Sequence, residues 1–141
     1  MRLSSKTMET GRELERIRAS RSIATSLMDR FGHRLDGWDH ALLNQFVRDR
    51  SIYAERLGIT SRADVCAFVE TVLLLAPSLE NAKEFQAAIS EAPNADLRML
   101  HAIKVLPPGY LARLTVADAP GIWLNHLAHR GQGLGQGRSQ A

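Results

Sequence analysis

His126 and His129 stand three residues apart, a spacing that on a helix brings two imidazoles to one side and could seat a metal ion. His33, His40 and His101 supply further nitrogens, but no acidic or additional histidine motif completes a tetrahedral set. Histidines near a helix C-terminus also interact favourably with its free carbonyls and dipole, so no metal site is expected. Cys66 is the only thiol, and a nucleophilic role would need exposure beside a base. Its neighbours Val65, Phe68 and Val69 point instead to a buried small hydrophobe. Asp36 and Asp39 flank Trp38 at an expected helix start, where carboxylates cap free amides without any acid–base catalysis. Gly131, Gly133, Gly135 and Gly137 superficially suggest a phosphate loop, yet the preceding strand and following helix that such a loop requires are missing. No catalytic residue, cofactor or metal is expected, and the chain reads as a non-enzyme.

The remaining chemistry is binding by charge. Residues 1–34 carry eight Lys or Arg against four Asp or Glu, and the remainder carries ten against eleven. The excess is concentrated at Arg12, Arg16, Arg18 and Arg21, which are the candidate partner-binding residues, fitting an acidic protein or nucleic acid, although a solvated helix face is the commoner reason for such a run. The segment Ala54 to Asp64 looks like a helix-turn-helix, with Gly58 at the turn. The second helix of such a motif must offer polar side chains to base edges, whereas after Arg62 this one offers mainly Val, Phe and Leu. An αα corner is the expected reading.

The elements that must position these residues are all helical. Thr10 and Glu13 have the spacing of a capping box before Leu14, Ile17, Ala24, Leu27, Met28, Phe31 and Leu35, which predicts a first helix over Gly11 to Arg34. A second helix is predicted from Trp38 to Leu57, with Leu42, Phe46, Tyr53 and Leu57 inward and a stop at Gly58. Ser61 should cap the third, which ends before Pro77. Ser78 to Glu91 and Ala95 to Leu106 read as amphipathic helices, the latter capped by Asn94 and carrying Leu97, Leu100, Ile103 and Val105 as its apolar residues. A short turn of helix at Tyr110 to Leu114 and a last helix from Pro120 to a stop at Gly131 complete the set.

The third helix organises the rest. From Val65 to Ala76 it is apolar nearly all round, and such a helix must lie at the centre of its neighbours. The expected fold is all-α, a single compact bundle of six or seven helices around this central element. Residues 1–10 are expected as a flexible N-terminus, 11–130 as the helical domain, and 131–141 as a disordered Gly-rich tail. At 141 residues one core needs neither disulfides nor metal. A single cysteine suits the cytoplasm, Met1 to Thr10 lacks the apolar run of a secretory signal, and the longest apolar stretch falls short of the roughly 20 residues of a membrane span. Trp38 and Trp123 read equally as core or as interface anchors.

One resemblance adds a setting. The words Tyr53-Ala-Glu-Arg-Leu-Gly-Ile-Thr-Ser-Arg-Ala-Asp-Val-Cys-Ala-Phe-Val-Glu, then Leu73-Leu-Leu-Ala and Leu79-Glu, resemble small all-helical accessory proteins of bacterial type VI secretion and toxin-delivery loci. The resemblance covers residues 53–89, and Pro77-Ser78-Leu79-Glu80 departs from it where a glycine and an aromatic–acidic pair would stand. It implies no catalytic residues. It does imply a cytoplasmic adaptor, chaperone-like or immunity protein that binds a toxin, effector or secretion component, with self-association left open. The alternative is a nucleic-acid-binding protein using the basic first helix.

Overall fold

Three of the helical segments in this protein start at side chains that take up free amide N–H groups. A computed structural model describes the backbone of residues 5–134 and the side chains of residues 10–128. Within them the chain is all-helical, with seven α-helices and no strand: α1 (Ser5–Phe31), α2 (His40–Arg56), α3 (Arg62–Leu74), α4 (Lys83–Ser90), α5 (Arg98–Val105), α6 (Tyr110–Leu114) and α7 (Ala119–Leu134). Asp39 caps α2 by accepting the Leu42 amide at 2.7 Å, and Ser61 caps α3 by accepting that of Asp64 at 3.3 Å. Asn94 accepts the Asp96 amide at 2.9 Å and opens a 3-10 turn, Ala95–Leu97, that leads into α5. At the end of α2, Gly58 adopts φ +86°, its amide donates to the Glu55 carbonyl at 3.0 Å, and the Ile59 amide donates to that of Ala54 at 2.9 Å. This paired closure needs a left-handed residue, and glycine takes that conformation without a Cβ clash.

Packing follows from α3. Phe68, Val69, Val72 and Leu73 are fully buried, and the helix touches α1, α2, α5 and α7. Each such side chain contributes about 1.5–3 kcal/mol relative to an exposed one. Phe68 stacks on Phe85 of α4 with ring centroids 6.1 Å apart. Both tryptophans belong to the core. Trp38 and Trp123 meet the Phe46 ring edge-on at 5.5 and 5.0 Å, and the Trp123 indole N–H donates to the Val72 carbonyl at 3.1 Å. The α2–α3 pair is an αα corner, with Phe68, Val69, Val72 and Leu73 of α3 turned into the core.

Several local expectations are corrected. The capping box at Thr10 does not form, because α1 is already helical from Ser5; Glu13 instead pairs with Arg16 at 2.9 Å and with Arg48 of α2. Residues 5–10 of the expected flexible N-terminus are thus part of α1, while 1–4 lie outside the described residues. Along α2 the buried positions are Leu43, Phe46, Val47 and Ala54, with Leu42, Tyr53 and Leu57 half-buried. The predicted helix from Ser78 to Glu91 is split into a 3-10 turn, Leu79–Asn81, and α4, with Ala82 extended between them. That break turns Leu79 and Glu80 into the interior. Gly131 does not stop α7, which runs to Leu134; a glycine costs a helix only about 1 kcal/mol relative to alanine. The rest of the expected tail, 135–141, lies outside the described residues.

Cys66 is half-buried rather than buried. Its face of α3 lies beneath Arg30 of α1, whose guanidinium reaches Sγ at 4.0 Å and forks onto the Glu70 carboxylate at 3.2 and 3.1 Å.

Candidate binding surface

The four N-terminal arginines are separated by the structure into different roles. Arg16 is about three-quarters covered and holds the fold: it donates to Glu13 at 2.9 Å and to Glu55 of α2 at 2.7 Å. The hydrogen bond to Glu55 is the main cause of a guanidinium pKa above its ordinary value. Arg16 is therefore a cross-brace between α1 and α2. Arg12, Arg18 and Arg21 are exposed and have no carboxylate partner among the described residues. They do not form one patch. Arg12 faces a cleft between α1 and the α2–α3 corner, whereas Arg21 borders a shallow depression with Ser22, Thr25 and Asp29 on α1 itself.

The cleft has a volume of about 410 Å³. Ala19 and Ile23 of α1 and Ile59 and Val65 of the corner supply its aliphatic walls; Arg12, Glu15, Arg16, Glu55 and Arg62 supply its rim. Arg62, the first residue of α3, crosses to donate to the Ser22 hydroxyl.

A second surface lies along α5, whose inward side the sequence left unassigned. Leu97, Leu100, Ile103 and Val105 are 45–52% exposed, while Met99 and Ala102 are the buried residues of α5. The rotation of α5 is fixed from outside the helix. The Asp64 carboxylate accepts the Met99 amide at 3.2 Å, Ser61 donates its hydroxyl to the Asp96 carbonyl at 3.0 Å, and Arg98 donates to the Ile89 carbonyl at 2.7 Å. Leu97 and Leu100, with Pro93, Asn94, His101 and Lys104, border a groove of about 170 Å³.

The candidate chemical residues do not converge. Among the described residues no group of three or more His, Cys, Asp or Glu is placed to hold a metal ion. His126 lies edge-on to the Trp123 ring at 6.0 Å, His33 and His40 are exposed, His101 is half-buried, and the His129 side chain lies outside the described residues. Asp39 is the α2 cap and Asp36 is exposed. Two buried carboxylates, Asp64 and Glu80, were not singled out by spacing. Glu80 pairs with Arg50, whose guanidinium sits over the rings of Phe46, Tyr53 and Trp123 at 5.9, 5.9 and 5.5 Å. Both are joined to core elements, so they act on stability.

No protein-family model, no curated protein and no solved structure matches this chain. No helix among the described residues is long and apolar enough to cross a membrane.

Proposed function

We propose that this chain is a non-enzymatic, protein-binding accessory, an adaptor, chaperone-like or immunity protein acting in the cytoplasm on a secreted toxin or a component of a type VI secretion apparatus. The observation that carries the binding part is the aliphatic ridge of α5. Leu97, at the end of the 3-10 turn, and Leu100 and Ile103 of α5 present large apolar side chains to water. Contiguous exposed apolar residues bordered by polar groups mark surfaces that other macromolecules cover. The toxin-delivery setting rests on the resemblance over residues 53–89 alone. The nucleic-acid reading is weakened by the arginines: Arg16 is held by Glu13 and Glu55, and the exposed ones lie on different sides of α1.

The test is co-expression of the tagged chain with the products of its flanking genes, followed by size-exclusion chromatography. A stable complex is expected, and Leu100→Asp should dissolve it while leaving the unfolding midpoint within about 0.5 kcal/mol, as for other exposed positions. Failure of every flanking product to co-elute would refute the reading.

A further inference from the structure

The ion pairs of this molecule sort its arginines into two groups, and that sorting selects an occupant for the cleft between α1 and the α2–α3 corner. Arg16, Arg30, Arg48 and Arg50 each pair with a carboxylate on another element. Arg12 and Arg62, which stand on the cleft rim from α1 and α3, have no carboxylate partner among the described residues; Arg62 meets only the Ser22 hydroxyl there. Glu55 on the same rim is neutralised by Arg16 at 2.7 Å. Glu15 is exposed and remains. The rim thus offers two guanidinium groups against one carboxylate, above walls formed by Ala19 and Val65.

We infer that this cleft takes an acidic peptide segment of the protein partner, with an aliphatic side chain between the carboxylates that meet Arg12 and Arg62. This rests on the reading of the chain as a protein-binding accessory. A guanidinium binds a carboxylate through parallel N–H donors, and Arg loses little rotamer freedom per bond formed. The volume of about 410 Å³ is near the small end of ligand sites and admits one or two side chains, not a packed helix. Glu15 on the rim disfavours a phosphodiester backbone, whose charges are continuous along its length, whereas a peptide can place its carboxylates only where the guanidiniums are.

The probe is a fluorescein-labelled, end-blocked peptide with a Glu-Leu-Asp-Leu-Glu core, titrated by anisotropy with the full chain against a Gln/Asn counterpart. The acidic peptide should bind selectively. Arg12→Gln and Arg62→Gln should each weaken it about tenfold, as loss of a charged hydrogen bond does. Glu15→Gln should strengthen it about twofold by removing a like charge. Arg18→Gln, an exposed change off the cleft rim, should leave it unaltered. Equal binding of the neutral peptide, no binding at all, an Arg18→Gln effect as large as that of Arg12→Gln, or displacement of the peptide by random duplex DNA would each overturn the assignment. Helicity of every variant is checked by circular dichroism. In the complex with the co-eluting gene product, a cleft double variant that binds normally while Leu100→Asp does not would reject the cleft and keep the protein-binding reading. Absence of any protein complex would reject that reading independently of the peptide result.

Discussion

The Asp64 carboxylate, in the first turn of α3, accepts the backbone N–H of Met99, in the first turn of α5, at 3.2 Å. Both residues are buried, so the bond is shielded from water and joins the start of the central helix to the start of the helix that carries the exposed ridge. Asp64→Ala leaves the Met99 amide without an acceptor and should cost about 1–3 kcal/mol of stability, the desolvation penalty of a buried unpaired donor. Asp64→Asn keeps a carbonyl oxygen and should cost less. Urea unfolding of the two variants measures this, and equal midpoints for Asp64→Ala and the unaltered chain would contradict it.

The Arg50–Glu80 pair should behave as a buried ion pair. Its side chains are 17% and 9% exposed, and Glu80 Oε2 makes no hydrogen bond among the described residues. Glu80→Ala strands a guanidinium among Phe46, Tyr53 and Trp123 and should cost about 3–5 kcal/mol. Replacing both partners, Arg50→Met with Glu80→Leu, should recover most of that loss, because the desolvation of both charges disappears together. A double variant no more stable than Glu80→Ala would show that the pair is not the cause.

The contact between Tyr110 and Glu84 should make stability depend on pH at both ends of the range. The Tyr110 hydroxyl donates to Glu84 at 3.0 Å. The Glu84 carboxyl lies below its ordinary value of 4.5, first through a hydrogen bond from its own backbone amide and next through Tyr110. The Tyr110 phenol lies above its ordinary value of 10.0, first through burial and next through Glu84. A depressed carboxyl contributes stability that is present above its unfolded pKa and lost as pH falls through the folded one. A raised phenol contributes stability that is complete below its unfolded pKa and lost as pH rises through the folded one. The stability advantage over Tyr110→Phe should therefore be level between those limits and shrink below about pH 4.5 and above about pH 10. Denaturation across pH measures the difference, and tyrosinate absorbance in a Tyr53→Phe background follows Tyr110 directly. A difference that stays constant through both limits would be incompatible with the contact.

What the sequence determined by itself was local. Ser61 and Asn94 as caps, Gly58 as the close of α2, and Phe68 to Leu73 as the centre of the core were legible because each depends on hydrogen bonds or periodicity spanning a few neighbouring residues, whereas α2 starts at His40 with Asp39 as its cap rather than at Trp38. The boundaries at Ser5, Ala82 and Leu134 were not, since Glu13 pairs across to Arg48, Glu80 turns in to Arg50, and glycine tolerates a helix end. The candidate surface was legible only in part. The sequence marked Arg12, Arg16, Arg18 and Arg21 as one group, but Glu55 lies far along the chain from Arg16, and only the fold brings them to 2.7 Å. The exposed side of α5 was likewise settled by tertiary structure. Leu97, Leu100 and Ile103 form the larger apolar stripe, yet Met99 and Ala102 are the residues packed inward, where α5 begins against a buried carboxylate thirty-five residues away in the chain, and burial of that kind depends on neighbours that only the fold brings together.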